Sequence, residues 1–373
     1  MELARSSRGE SPSRVQGQRH PTNTRSATMF GLGKNKKSTI GLDIGSSSIK
    51  VVEIAHDRYG DRLVNYGISE PLSEAIVDGE IMDRQMVHEA ITNLLESRQI
   101  RNKNVVTAVS GRAVIVKKIL MARLNEEDAK EAIQWEAEQH VPYDINDVSL
   151  DFQIINPDVD QKKMQVLLVA AKKEMITNHA EIIREAGLSP VIIDVDSFAI
   201  QNAVEAAYDL APGETVALLN IGAEITNLNI IRDQIPHFTK DLSLGANSFV
   251  EAIQRRHNVS QAEAQNALRG RAQNGIDVAA IVQATCEDVS VQIDRAVAFL
   301  KSAGDADRID RIFVSGGSAR VPGLVEFLRT RHQVPVEVVN PIQKLNYDPG
   351  LFGGESPESV APVLTVAIGL ALR

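Results

Sequence analysis

Short apolar runs bounded by turn residues fall at 40–44, 49–54, 63–68 and 105–109, and each reads as a strand. Between the last two, Met86, Ala90, Ile91, Leu94 and Leu95 recur at helical spacing, which predicts a helix over 84–97. A β-β-β-α-β order opens an α/β lobe. The pattern then changes. A strand at 113–120 precedes Asn125-Glu126-Glu127-Asp128, an N-cap followed by first-turn acids, and the helix runs to about His140 before Pro142. Strands at 148–155 and 164–170 follow, joined by a turn at Asn156-Pro157-Asp158, and then a helix over 174–186 that ends at Gly187. This β-α-β-β-α stretch predicts a small inserted domain, 112–188, with its helices on one face of its sheet. A strand at 190–195 and a helix at 198–208 return to the first lobe.

From Glu214 the opening pattern repeats: strand, tight turn, strand, and a third strand at 235–240. Helices dominate 245–303, with a capping box at Ser260 and Glu263, a stop at Gly270, and a long helical pattern over 276–300. A strand at 312–314 then meets a Gly-Gly turn, and a helix is expected to start at Val321-Pro322, where proline suits the first turn. The apolar run 360–372, broken by Thr365 and Gly369, is too short to cross a membrane and reads as a buried helix between the lobes.

Composition narrows the partners. The net charge of -9 gives no global signal for nucleic acid. The single cysteine, Cys286, excludes an internal disulfide framework and reads as packing. Residues 1–28 hold Arg5, Arg8, Arg14, Arg19 and Arg25 against Glu2 and Glu10, with few apolar groups, and are expected to stay disordered and to play no part in folding. They lack the apolar core of a signal peptide, and Met29 reads as a natural start.

Three stretches carry candidate chemistry. In Leu42-Asp43-Ile44-Gly45-Ser46-Ser47-Ser48-Ile49-Lys50, Gly45 permits close backbone approach, and Ser46, Ser47 and Ser48 put hydroxyls beside exposed turn amides suited to an anion. Asp43 is placed to hold the water shell of a magnesium ion, and Lys50 offers a point charge to phosphate. An ordinary polar turn is the plain alternative. The pattern recurs in Leu219-Asn220-Ile221-Gly222-Ala223, with Asn220 over Asp43 and Gly222 over Gly45. The third stretch, Ser315-Gly316-Gly317-Ser318, would let a flat base or ribose approach the backbone.

The order and spacing of the three stretches resemble the actin, Hsp70 and sugar-kinase superfamily from about Thr39 onward. The insert after the 105–109 strand, the stretches Glu136-Ala137-Glu138 through Val141-Pro142-Tyr143 and Asp194-Val195-Asp196-Ser197-Phe198-Ala199, and an end at Arg373 resemble the PilM family, a relative of the cell-division protein FtsA. The resemblance implies an α/β, actin/Hsp70-like two-lobed fold with an FtsA-type inserted subdomain 1C. Its divisions would be a disordered extension at 1–37, subdomain 1A at 38–111 and 189–212, 1C at 112–188, 2A at 213–244 and 304–373, and 2B at 245–303. It further implies a cytoplasmic adaptor of the type IV pilus machine, peripheral at the inner membrane. ATP and Mg2+ would lie between the lobes, and the cytoplasmic N-terminal peptide of PilN would dock on the insert. Pilus motor ATPases and the platform protein are further implied partners; nucleic acid is not.

Against the family pattern, Asn220 replaces the usual Asp, Gly245-Ala246 a Gly-Gly pair, Val250 a frequent Thr and Gln265 an acidic residue. Little or no hydrolysis is therefore expected, because an amide cannot act as a base. A small-molecule kinase of the superfamily, an FtsA-like division protein and a filament-forming actin remain alternatives. A kinase needs a base, for which Asp194 and Asp196 are the cleft-region candidates, although a strand end and helix cap explain both. Trp135 and Tyr143 are candidate partner contacts; alternatively they close the core around Pro142.

Overall fold

Two hairpins with long apolar strands seed two sheets of the same design. In the computed structural model, residues 37–72, 74–160, 162–271 and 276–373 are described. The expectations for 1–28 and Met29 lie outside them. Strands β1 (Lys37–Ile44), β2 (Ile49–Asp57) and β3 (Gly60–Ile68) form a meander, followed by the short β4 (Ile76–Val77) and β5 (Glu80–Ile81), helix α1 (Arg84–Ser97) and β6 (Asn104–Val109). The insert contributes β7 (Val114–Ala122), α2 (Glu126–Glu138), β8 (Val148–Asp160) and β9 (Lys163–Lys172). Then come α3 (Lys173–Glu185), β10 (Ser189–Val195) and α4 (Asp196–Ala207). The second half runs β11 (Thr215–Ile221), β12 (Thr226–Arg232), β13 (Ile235–Leu242), α5 (Ala246–His257), α6 (Gln261–Leu268) and α7 (Ala279–Ala303). It ends with β14 (Arg311–Ser315), α8 (Leu324–His332), β15 (Val336–Val338), β16 (Asn346–Tyr347), α9 (Pro357–Val360) and α10 (Thr365–Ala371).

The first sheet has the order β10-β6-β1-β2-β3-β16 and the second β13-β12-β11-β14-β15. In each, an antiparallel meander is joined at its first strand by a parallel strand, β6 on β1 and β14 on β11. Helices α4 and α10 lie between the sheets, in a core holding Val106, Ile200, Leu218, Phe313 and Leu370. Two glycines allow that approach. A Cβ on Gly41 would overlap the Ala367 carbonyl, and one on Gly369 the Ala199 carbonyl. Helices α5 to α8 bury Phe249, Ile253, Cys286, Ile293 and Leu328 against the second sheet.

Several local expectations need correction. The strand thought to begin after residue 37 already includes Lys37. On α1 it is Val87 that is buried, while Met86 is exposed. Strand β8 runs through Asn156-Pro157-Asp158 to Asp160, with irregular register. It is an edge strand, where a proline's missing N–H costs no ladder bond. Only α2 lies on the insert's sheet, burying Ala129, Ile133 and Ala137 against Ile119, Val166 and Leu168. Helix α3 instead sends Ile182 and Ile183 into the core of the first lobe beside α1. Helix α8 starts at Leu324, after the left-handed Gly323, so Pro322 precedes it. The 360–372 run is split: a 3-10 turn, Ala361–Leu364, separates α9 from α10. Pro362, which lacks an N–H, sits in that turn, and its carbonyl accepts from Gly316 N at 2.9 Å.

Candidate functional site

The first hairpin ends in a charged pair. Antiparallel register sets Asp43 opposite Lys50, and Lys50 Nζ lies 3.3 Å from Asp43 Oδ2 with both side chains largely buried. The turn 45–48 projects beyond that pair. A Cβ on Gly45 would come within 2.9 Å of Lys50 Nζ, so glycine keeps the ammonium accessible beneath the turn.

The second hairpin has the same register, with Asn220 opposite Asn227, but its pair is neutral. Asn220 Nδ2 donates to Asn227 Oδ1 at 3.0 Å. Asn227 Nδ2 donates to Asp241 Oδ1 at 2.8 Å, and Ser315 Oγ donates to Asn220 Oδ1 at 3.1 Å. The first amides of α5, on Ala246 and Asn247, donate to the Gly222 and Ala223 carbonyls, which docks the helix on the turn.

The third stretch completes the enclosure. Gly316 adopts φ 89°, and a Cβ there would come within 2.5 Å of the Ile221 carbonyl; the strand end thus closes against the second hairpin. Gly317 has open space where a Cβ would be. Ser318 N donates to Ile221 O at 3.1 Å. A cavity of about 370 Å³ results. Asp43, Lys50, the 45–48 turn, Asn220, Gly222, Ala223, Gly317 and Ser318 line its polar side. Val250, Gln265, Leu268, Arg269, Arg320 and Val321 form a second wall. This size and mixed lining suit a small-molecule ligand.

Most residues singled out in the sequence therefore meet at one cavity. Three do not. Gly245 lies behind the second hairpin, where a Cβ would come 2.5 Å from the Ala223 carbonyl; its smallness serves helix docking. Gly316 is likewise a packing residue, behind Gly317. Asp194 points away from the cleft: it pairs with Arg373 Nε at 2.9 Å and accepts from Val195 N, and burial raises its carboxyl pKa. The group in the cleft is its neighbour Asp196, the first residue of α4. Burial, and then the Asp43 carboxylate, push Asp196 up to about 7, opposed by a hydrogen bond from Ser110 and by Lys50. Asn227 was missed, although carrying the hairpin superposition seven residues past Asn220, as Lys50 follows Asp43, finds it. Ser110, Arg269 and Arg320 carried no sequence signal.

The two partner candidates separate. Trp135 is 73% exposed on the outer side of α2, so it does not close the core. Tyr143 packs partly into the insert's core, donates its hydroxyl to Arg112 O at 3.0 Å and lies under Lys172 Nζ. Among the described residues no helix is long and apolar enough to cross a membrane.

Comparison with known proteins agrees with this architecture. A solved PilM–PilN type IV pilus biogenesis complex contains a chain 29% identical to this one, with a TM-score of 0.81, over 91% of this chain and 99% of that one. The ethanolamine utilization protein EutJ from Carboxydothermus hydrogenoformans matches at 14% identity and TM-score 0.54, covering 90% of this chain and 89% of its own. MreB5 of Spiroplasma citri, solved with AMPPNP, matches at 12% identity and TM-score 0.51, covering 90% and 95%. These last two share the actin-like fold. The family model described as "Type IV pilus assembly protein PilM" matches residues 41–373, and the chain belongs to that family.

Proposed function

We propose that this chain is an ATP-binding adaptor of the type IV pilus machine that turns its nucleotide over slowly or not at all. The observation that carries the nucleotide reading is the convergence of both hairpin turns and Gly317 on one cavity. Turn amides and Lys50 meet phosphate, while the wall from Val250 to Val321 meets the base. The donor set also fits magnesium: Asp43 and Asp196 face the cavity as acids, and Gly45 leaves open the space a Cβ would fill beside Lys50. A bound ion would offset phosphate charge. Asp196, in the cleft at the start of α4, is the carboxylate placed to accept a proton from water when it is not bound to the ion. Asn220 cannot share that work.

The proposed partner is the cytoplasmic N-terminal peptide of PilN, which would hold the adaptor at the inner membrane. Support comes from the solved complex and from an exposed apolar sheet edge. Edge strand β10 exposes Val191 (54%) and Ile192 (40%). An extended apolar peptide could pair there. Tyr143 at the root of the insert and the exposed Trp135 on α2 are the proposed further contacts. In this scheme 112–188 acts as the partner-binding subdomain, 38–111 with 189–212 and 213–244 with 304–373 hold the phosphates, and 245–303 holds the base. The test is a titration with the PilN peptide followed by hydrogen exchange. Protection across 112–188 and β10 is expected; protection confined to 245–303 would move the partner site to the second lobe.

A further inference from the structure

The neutral pair of the second hairpin does not stand alone. Register aligns Asp241 with Asn227, Asn227 with Asn220 and Asn220 with Ser315, so four adjacent strands contribute one side chain each to a row. Hydrogen bonds of 2.8, 3.0 and 3.1 Å run along it. Asp241 is the only member that is a pure acceptor when ionised. That fixes the direction of the row. Asn227 must turn its amide nitrogen to Asp241, which leaves its oxygen for Asn220; Asn220 must then turn its nitrogen to Asn227 and its oxygen to Ser315. The other carboxylate oxygen of Asp241 accepts from Gly111 N at 2.6 Å, across the cleft at the root of the insert.

We propose that Asp241 is the positioning residue of the second hairpin: it sets the orientation of the Asn227 and Asn220 amides toward the nucleotide and ties that arrangement to the first lobe at Gly111. This rests on the nucleotide reading above and adds to it where the second lobe keeps its acid. The carboxylate absent from β11 sits two strands away on β13, and the row transmits its polarity to the cleft.

The row makes a demand that ordinary packing does not. Asn220→Asp alone sets a carboxylate oxygen against Asn227 Oδ1. Asp241→Asn alone removes what fixes the direction of the row: Asn227 and Asn220 can both turn over, with Asn220 Nδ2 then donating to the Ser315 hydroxyl, which can also accept. Together they fit: Asn227 turns over, donates to the new acid at 220 and accepts from the new amide at 241, whose oxygen still receives Gly111 N–H. Asn220→Asp beside the Asp241 carboxylate leaves a buried polar group unpaired, whereas the same change beside an amide at 241 satisfies every one.

The test is a double-mutant cycle on the full chain: wild type, Asn220→Asp, Asp241→Asn and the double variant. Each is titrated calorimetrically with Mg-ATP at a temperature where circular dichroism shows all four folded, and each is melted. The expected result is a loss of affinity of about tenfold for Asn220→Asp in the otherwise unaltered chain, and of less than about threefold for the same change in the Asp241→Asn chain. ATP turnover in the double variant should also exceed wild type, since the acid then faces the cleft. Additive losses, with no recovery, would overturn the proposal. If wild type and all variants fail to bind ATP, the nucleotide reading falls and the proposal falls with it. In that event recovery of the melting temperature in the double variant would show that the row still exists as a structural device, which separates the two failures.

Discussion

Asp43 faces Lys50 in the first hairpin, and Asn220 faces Asn227 in the second, at the same register and beneath turns of the same length. The first pair is an ion pair held with little water. The second is two amides in a hydrogen-bonded row. Identical backbone geometry thus supports two chemistries. The first can meet phosphate with a charge, whereas the second can only orient and donate. Under the proposed function, a site with one charged and one neutral half would hold a nucleotide more than cleave it.

The largest expected effect follows from breaking the charged half. Lys50→Ala leaves Asp43 buried without its partner and close to Asp196, and should cost about 3 kcal/mol of stability in denaturant unfolding at neutral pH. Asn227→Ala, at the matching place, should cost about 1–2 kcal/mol, the scale of lost neutral hydrogen bonds. Equal losses would erase the distinction.

The turn glycines should differ next. A Cβ at Gly222 would lie 2.9 Å from the Ile225 carbonyl, which is fixed by its own bond to Gly222 N. Gly222→Ala should therefore destabilise by about 1–3 kcal/mol. At Gly45 a Cβ would meet the end of the Lys50 side chain at 2.9 Å and the Ser48 carbonyl only at 3.3 Å, so Gly45→Ala should cost about 1 kcal/mol in stability, less than Gly222→Ala, while weakening Mg-ATP binding. Paired melting and calorimetry would separate these outcomes.

Asp196 gives a pH-dependent test of the crowding of acids around the first hairpin. Its pKa rises from 3.8 to about 7 on folding, so between those values the folded chain binds the extra proton. Stability from this group therefore falls as pH rises from about 4 to 7 and levels off above. Asp196→Asn removes the titration, so its melting temperature relative to wild type should be higher at pH 8 than at pH 5, by on the order of 1 kcal/mol or more in stability. A difference independent of pH would contradict the assignment. The smallest effect is expected far from both hairpins: Trp135→Ala should change stability by less than about 0.5 kcal/mol, since the ring is already mostly in solvent.

Much of this was legible in the chain. The hairpins announce themselves because a strand must alternate or bury its apolar groups and a turn must relax them, and glycine and serine mark the turns. The duplication was visible because Asn220 and Gly222 repeat the spacing of Asp43 and Gly45. What stayed hidden depends on neighbours brought by topology. Asp194 and Asp196 are two residues apart, yet the change from strand to helix at Val195 sends one to Arg373 and the other to the cleft. Asp241 lies in an unremarkable strand, and only the pairing of β13 with β12 reveals its row. Helix α3 looked like part of the insert because it follows the insert's last strand, but Ile182 and Ile183 match the first lobe's core. Pro157 suggested a turn that an edge strand did not need.

The central claim is that the unequal hairpins hold Mg-ATP without brisk turnover. The most direct measurement is calorimetric titration of the full chain with Mg-ATP, with phosphate release followed in the same sample. The account predicts saturable one-to-one binding that Lys50→Ala abolishes, together with turnover far below the ~1 s⁻¹ at the low end of ordinary enzymes. No heat of binding, or rapid phosphate release by the unaltered chain, would contradict it.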